Sequence, residues 1–207
     1  MASTLSNDLS AAATTTSSAS ATQTPFTFPK DYNFPPFFTP QTNHDIRLSQ
    51  LSRWSDLIRS YCRHNRIFRL SLIDAVENSP LFHNARMGKR VSLVNARAIV
   101  DWMASPEGGR RAEWDGGGEG RSGEKPAVWI WWKRPEEWAE VLAGWVEETG
   151  QKNTVLTLYE LIEGEATNGQ EFHGMDPIVL QRSLHVLVRQ GKAQVFGHEG
   201  QQGVKFF

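Results

Sequence analysis

The spacing of apolar residues predicts six helices, arranged as two groups of three. Within each segment the apolar positions recur every three or four residues, which is typical of a helix with one buried face. Thr42 and Asp45 have the spacing of a capping box at the start of the first helix. In chain order, the predicted helices begin near Asn43, Ser71, Ser92, Pro135, Thr157 and Asp176.

A change of period after each group of helices predicts pairs of short strands. In "AVWIWW", residues 127–132, side chains alternate between two faces, and "RAEW" at 111–114 is the predicted partner strand. In the second half, "TVLT", "KAQVF" and "GVKFF" have the same strand-like character. Three helices followed by two strands is the order of a winged helix. We therefore predict an α+β, mainly helical fold with two tandem winged-helix domains.

The amino-terminal residues have a different composition from the rest of the chain. Residues 1–24 are nearly all Ser, Thr and Ala, which cannot bury enough apolar area to fold, so we expect a disordered tail. Residues 25–41 contain five prolines, which favour an extended backbone. The predicted division is therefore tail 1–24, extended docking arm 25–41, first winged helix 42–132 and second winged helix 133–207.

Charge and cysteine content narrow the possible functions. Residues 42–134 carry 16 Lys and Arg against 10 Asp and Glu, whereas residues 135–207 carry 5 against 11. The two halves therefore have net charges of +6 and −6, which biases their partners differently. Cys62 is the only cysteine, and no apolar run is long enough to cross a bilayer. We expect a cytoplasmic protein.

No catalytic or metal-binding pattern stands out. The six histidines lack metal-ligand spacing, so we expect no cofactor; they are His44, His64, His83, His173, His185 and His198. "EFHGMD" at 171–176 brings Glu171, His173 and Asp176 together, but no nucleophile lies near them in the sequence. We predict that the protein is not an enzyme.

A winged-helix DNA-binding transcription regulator is the alternative function. Recognition would use the third helix of either domain, where the candidates are Asn95, Arg97, Asp101, Gln181, Arg182, His185 and Arg189. DNA affinity depends on many cations that neutralise phosphates. The net charge of −6 on the second half therefore disfavours binding of a DNA duplex.

The stretch "NFPPFF", residues 33–38, indicates a docking segment. Burying a phenylalanine contributes roughly 1.5 to 3 kcal/mol, and a proline-stiffened segment loses little freedom on binding. The alternative is that at least one of Phe34, Phe37 and Phe38 packs on this chain's own first domain. A WW-domain partner is the weaker prediction, since Phe38 lacks the hydroxyl of the tyrosine that such grooves bind.

Several long motifs lie between about residue 30 and the end of the chain. They are "YNFPPFFTPQ" before the first helix, "SPLF" at 79–82, "WKRPEEWAEVLAGWVEETGQKN" at 132–153, "TLYELIEGE" at 157–165, "EFHGMD" at 171–176 and the terminal "GVKFF". Together they resemble the small subunit of the endosomal sorting complex required for transport II (ESCRT-II). The resemblance implies a non-catalytic adaptor, two copies of which join two larger winged-helix subunits. It also implies cargo sorting into multivesicular bodies, at the endosomal membrane, through recruitment of an ESCRT-III subunit.

The resemblance also implies which residues contact partners. The anchors on the larger subunits would be Phe34, Pro35, Pro36, Phe37 and Phe38. For the ESCRT-III subunit, our own candidates on the second winged helix, chosen for acidity and exposure rather than from the resemblance, are Glu137, Glu140, Glu148 and Leu156. The alternative for Glu137 and Glu148 is that they are simple solvated helix charges. An acidic surface of this kind suits a basic helix. The Gly-rich stretch 115–125 lengthens the first wing, and its role and that of the tail are not assigned.

Overall fold

The computed structural model describes residues 24–116, 127–197 and 202–207. Within these ranges the α-helices are α1 (His44–His64), α2 (Leu72–Asn78), α3 (Leu93–Ala104), α4 (Pro135–Glu148), α5 (Leu158–Glu163) and α6 (Pro177–Arg189). Three 3-10 helices span Lys30–Asn33, Pro35–Phe38 and Glu165–Thr167. The predicted disordered tail, except Thr24, and most of the Gly-rich stretch lie outside the described residues.

The strands in the described ranges are short. They are β1 (Arg69–Ser71), β2 (His83–Asn84), β3 (Lys89–Arg90), β4 (Ala112–Trp114), β5 (Ala127–Ile130), β6 (Val155–Thr157), β7 (Ala193–Phe196) and β8 (Gly203–Phe206). Two three-stranded antiparallel sheets have the orders β1-β5-β4 and β6-β8-β7, and β2 pairs with β3 as a small hairpin. Each larger sheet accompanies three helices, which confirms the predicted α+β fold with two winged helices.

Helix caps explain most of the helix starts that the sequence predicted. Ser92 Oγ accepts a hydrogen bond from the Asn95 amide, and Thr157 and Glu160 form a reciprocal capping box. The first helix differs from the prediction, since the Asn43 side chain, rather than Thr42, accepts from the Ile46 amide. Asn and Thr are both good cap residues, so the pattern alone could not place this start to the residue.

Hydrogen bonds and ion pairs of charged side chains join the two winged helices. Arg66 donates from its guanidinium to the carbonyl oxygens of Glu171, at 2.6 Å, and of His173. Lys133 and Arg63 form ion pairs with the Glu171 carboxylate. At the start of α4, Arg111 binds both oxygens of Glu137 at 2.8 and 3.0 Å. We call this set of contacts the junction.

The chain that crosses between the domains is itself buried. Trp131 and Trp132 are both buried, and the Trp132 ring lies 4.3 Å from Phe68 and 6.4 Å from Trp138, centroid to centroid. Phe68 belongs to the first domain, and Trp138 lies on the first helix of the second. The connection is therefore part of one continuous apolar core.

Candidate docking surface

Residues 25–41, the proline-aromatic segment, fold back onto α1. The sequence predicted an extended arm over this range. In the structure, most of the central part of the segment instead forms two 3-10 helices. Pro35 and Pro36 occupy the first positions of the second of these helices. Proline is tolerated in the first turn of a helix, where an amide has no partner to lose, so a proline pair does not require an extended chain.

Two of the five predicted anchors are buried in this chain. Phe37 is 5% exposed, and its ring stacks on Trp54 with centroids 4.3 Å apart and planes 10° from parallel. Phe38 is also buried and meets the edges of Trp54 and Tyr32. The alternative that some of these phenylalanines pack on the first domain is therefore correct for both rings.

Hydrogen bonds from α1 fix this turn. Gln50 Nε2 donates to the carbonyl oxygens of Phe37 and Thr39 at 2.9 and 2.8 Å, and Trp54 Nε1 donates to the Phe37 carbonyl at 3.0 Å. Gln50 is buried, so these bonds also satisfy its own polar group. The turn is consequently held in place before any partner arrives.

The remaining three anchors point outward. Phe34 is 58% exposed, and Pro35 and Pro36 are exposed beside it. Phe34 and Pro36 line a groove of about 330 Å³ together with Ile46, which is itself exposed. We call Phe34, Pro35, Pro36 and Ile46 the docking face. Ile46 was not predicted from the sequence, because its distance from Phe34 in space depends on the fold of the segment.

The upstream aromatic residues pack on the same helix. The Phe26 ring meets the edge of Tyr61 at 5.2 Å, and Phe28 stacks on Tyr32 at 4.0 Å. Burial raises the pKa of Tyr32 to about 12, with a smaller contribution from Tyr61, and its hydroxyl donates to the Pro80 carbonyl. These rings fasten the segment to the first domain.

A basic hairpin packs against the turn that carries the docking face. The β2–β3 hairpin exposes Arg86, Lys89 and Arg90, and none of the three has an ion pair with any described residue. Asn84 of this hairpin donates to the Tyr32 carbonyl at 2.8 Å, which joins it to the proline-aromatic segment. We call these three cations the basic hairpin. The excess of cations in the first half of the sequence indicated a basic surface on this domain, but it did not indicate where that surface lies.

The acidic residues predicted on α4 do not share one environment. Glu140 and Glu148 are exposed, as expected of a contact surface. Glu137 instead binds Arg111 and the Arg134 amide. Burial pushes the pKa of Glu137 upward, but the bonds from Arg111 and Arg134 outweigh it and hold this pKa below its ordinary value. Glu137 is therefore a member of the junction.

Leu156 is less exposed than the sequence suggested. It is half-buried and packs against the core, whereas its neighbour Val155 is 56% exposed. Successive residues of a strand point to opposite faces, so only one of the two can face outward. The outer face of this sheet also carries Phe196, whose ring lies across Gly203. Leu156 therefore contributes less surface than Val155.

The residues considered for DNA recognition are partly engaged within the chain. Arg182 donates to Glu113 at 2.7 Å, and its guanidinium lies over the Trp129 and Trp131 rings. In the first domain, Arg97 lies over Trp114, whose indole donates to Asp101. Cations bound in this way are not free to neutralise phosphates.

The described residues contain no group of three or more metal-ligating side chains. Cys62 is fully buried, and burial raises the pKa of its thiol to about 12. His173 Nδ1 lies 3.0 Å from the hydroxyl of the buried Thr167, which also donates to the Gly164 carbonyl at 2.9 Å. Among the described helices, none is both long and apolar enough to pass through a bilayer.

These features define a tandem winged-helix protein with a preformed, exposed apolar surface on its first domain. Residues 31–176 match the family model described as "ESCRT-II complex subunit". The chain belongs to this family, so it is an ESCRT-II subunit of the endosomal trafficking machinery.

Curated relatives agree along most of the chain. Vacuolar protein-sorting-associated protein 25 of Xenopus laevis is 41% identical over 182 residues, covering 88% of this chain and 99% of that protein. The protein of the same name from Homo sapiens is 37% identical, covering 88% and 98%. These relatives favour a sorting-complex subunit over the DNA-binding regulator.

Solved structures share the fold. The crystal structure of subunit VPS25 of the endosomal trafficking complex ESCRT-II superposes with a TM-score of 0.73 at 32% identity. The superposition covers 86% of this chain and 98% of the VPS25 chain. A chain from the crystal structure of the VPS22/VPS25/VPS36 complex superposes with a TM-score of 0.71, also at 32% identity and the same coverage.

Proposed function

We propose that this chain is a non-catalytic adaptor of ESCRT-II that couples the larger subunits to an ESCRT-III subunit. The first winged helix and its proline-aromatic segment bind the larger subunits, and the second winged helix recruits and activates the ESCRT-III subunit. Two copies act in each complex. The observation that carries the proposal is the exposed Phe34 beside Pro35 and Pro36, on a turn already fixed by α1.

The rigidity of this turn supports docking on another polypeptide. A preformed surface loses little conformational freedom when it binds, so more of the contact energy remains as affinity. Phe34 supplies the ring, while Phe37 and Phe38 hold the turn from beneath. The larger subunits in question are the counterparts of VPS22 and VPS36 in the solved VPS22/VPS25/VPS36 complex.

The basic hairpin is a second feature that favours docking on another protein. Arg86, Lys89 and Arg90 are exposed on a hairpin that is bonded to the proline-aromatic segment through Asn84, and an apolar centre with charged residues around it is the usual arrangement of a protein interface. Rim charges mainly accelerate association and select the partner. The partner surface is accordingly acidic around an apolar pocket.

The docking proposal is tested by co-expression with the two larger subunits. Phe34→Ala should weaken retention of this chain at least tenfold, because a central aromatic anchor commonly contributes about 2 kcal/mol or more. Size-exclusion chromatography with light scattering measures the loss. Tyr159→Ala is the matched control, since Tyr159 is a 70% exposed aromatic on the second winged helix. Undiminished assembly with Phe34→Ala, Pro35→Ala and Pro36→Ala combined would exclude the docking face.

The second winged helix supports recruitment of a basic helix. It holds most of the acidic excess, and Glu140 and Glu148 are exposed on α4. Leu156 adds a half-buried apolar contact, and Val155 beside it is exposed. Opposite charges steer such encounters, so the affinity should fall as salt rises.

Recruitment is tested by titrating the intact complex with a fluorescent ESCRT-III subunit. Glu140→Lys combined with Glu148→Lys should reduce affinity, with the largest difference at low salt. Glu107→Lys is the control, because Glu107 is an exposed carboxylate of the first winged helix. Equal affinities for the two variants at low salt would contradict the proposed surface.

The remaining parts of the proposal follow from membership of the complex. The adaptor associates with the endosomal membrane indirectly, through its partners, and contributes to sorting ubiquitinated cargo into multivesicular bodies. It uses no cofactor and binds no nucleic acid. A salt-dependent titration with duplex DNA checks the last point, since tight binding with a steep salt slope would favour a regulator.

A further inference from the structure

Ser92 follows two cations of the basic hairpin in a pattern found nowhere else in the chain. Lys89 and Arg90 stand three and two residues before it, and the apolar Leu93 comes directly after it. No other Ser or Thr in the sequence has a Lys or Arg at both of these positions. Protein kinases select substrates by such charge patterns, because acidic pockets in the kinase cleft bind the cations.

The structure leaves the required groups accessible. Lys89, Arg90, Ser92 and Leu93 are all exposed, and the backbone at Ser92 is extended, with φ −69° and ψ 155°. Alternate residues of an extended segment point to opposite faces, so Arg90 and Ser92 face outward together while Val91 is buried between them. Arg90 and Ser92 therefore reach a kinase from one face, and Lys89, on the opposite face, is exposed as well.

Few bonds hold Ser92 in place. Its hydroxyl accepts from the Asn95 amide at 3.3 Å, and its carbonyl accepts from the Ala96 amide at 2.9 Å. Both bonds belong to the first turn of α3, and terminal turns open locally at low cost. Opening that turn releases the residue after Ser92 as well.

We propose that Ser92 is a phosphorylation site for a basophilic protein kinase. The Ser92 Oγ attacks the γ-phosphorus of a nucleoside triphosphate, the bond from that phosphorus to the bridging oxygen breaks, and the nucleoside diphosphate leaves. The Oγ proton passes to the catalytic aspartate of the kinase. The product is a phosphoserine with a charge of about −1.5 to −2 at neutral pH.

Phosphorylation would reduce the positive charge beside the turn that carries the docking face; this step rests on the proposed function. The basic hairpin carries three cations, so one phosphate removes most of its local positive charge. Val91, the neighbour of Ser92, lines the same small cavity as Phe37 and Phe38, which places the modification at the edge of the docking turn. The modified chain should bind the larger subunits more weakly.

The site is tested on the full-length chain with a basophilic serine/threonine kinase and ATP. Mass spectrometry should find one phosphate at Ser92 and none in Ser92→Ala, and Lys89→Ala with Arg90→Ala should slow the reaction at least tenfold. Ser71→Ala is the control, because Ser71 also precedes a helix and has Arg69 two residues before it. A folded chain that stays unmodified at Ser92 overturns the proposal.

The consequence is tested by assembly of the phosphorylated chain with the two larger subunits. Stoichiometric phosphorylation should weaken binding about tenfold at low salt, and Ser92→Ala treated with the same kinase should bind normally. If Phe34→Ala disrupts assembly and phosphorylation does not, the regulatory step fails while the docking function stands. If Phe34→Ala, Pro35→Ala and Pro36→Ala combined have no effect, the docking function itself fails, whatever phosphorylation does.

Discussion

The two sheets have the same strand order but use their outer faces differently. In the first sheet, Arg69, Trp129 and Glu113 lie side by side on the three strands. Trp129 is only 2% exposed, and both Arg182 of the second domain and Trp131 lie against its ring. The equivalent row of the second sheet is Val155, Lys205 and Gln194. Among the described residues, no helix of the other domain covers that row.

The difference shows that the same fold, present twice in one chain, can have different surfaces covered. The first winged helix is covered by its own chain on two sides, by the proline-aromatic segment on α1 and by the second domain on its sheet. The second winged helix keeps its outer sheet face open. Equal topology therefore does not predict which surface is available to a partner, since long-range side-chain contacts decide that.

The largest effect should come from removing the covering of the first domain. Phe37→Ala deletes a buried ring stacked on Trp54 and should lower the free energy of unfolding by about 3 to 5 kcal/mol. Urea unfolding followed by tryptophan fluorescence measures it. Phe34→Ala, at an exposed position, should change stability by less than about 0.5 kcal/mol. Equal losses of unfolding free energy in the two variants would mean that Phe37 does not hold the proline-aromatic segment on α1.

An intermediate effect should come from opening the junction. Arg66→Ala removes the hydrogen bonds to the carbonyls of Glu171 and His173 and should cost about 1 to 3 kcal/mol. Small-angle X-ray scattering should also detect a larger radius of gyration. Arg110→Ala is the matched control, since both arginines have positive φ, 57° and 53°, but Arg110 is exposed. An unchanged scattering profile for Arg66→Ala would show that other contacts alone fix the domains.

The smallest effect concerns pH. The pKa of Glu137 is lower in the folded chain than its ordinary value of 4.5, so its contribution to stability is complete above that value and is lost as pH falls through the folded pKa. Glu137→Gln should cost about 1 kcal/mol or less at pH 7. It should also flatten the loss of stability below pH 4.5. The free energy of unfolding is measured at a series of acidic pH values for the unchanged protein and for Glu137→Gln. Glu136→Gln is the control, because Glu136 is an exposed neighbour.

Local signals in the sequence predicted the helices and most strands. Ser92, Thr157 with Glu160, and Asp176 each cap a helix where the pattern placed one. β1 was missed because it is three residues long and pairs with β5, whose partner residues lie far along the chain, as in the pair Arg69 and Trp129. A strand this short has no clear alternation of its own.

The docking surface was only partly predictable for a similar reason. The composition of "NFPPFF" distinguished this segment from its surroundings, but it did not indicate which rings face outward. That depends on Trp54 and Gln50, further along the chain on α1, and on the turn they fix. The roles of Glu137 and Arg182 were likewise hidden, because their partners lie in the other half of the chain.

The single thiol of this chain has a practical use. Cys62 is fully buried, and its pKa of about 12 keeps it protonated at neutral pH, so maleimide dyes should not react with it in the native protein. A cysteine introduced at an exposed position outside the proposed contact surfaces, such as Glu107→Cys, would then be labelled alone, without first deleting the natural one. Fluorescence from that dye could follow the arrival of each partner separately.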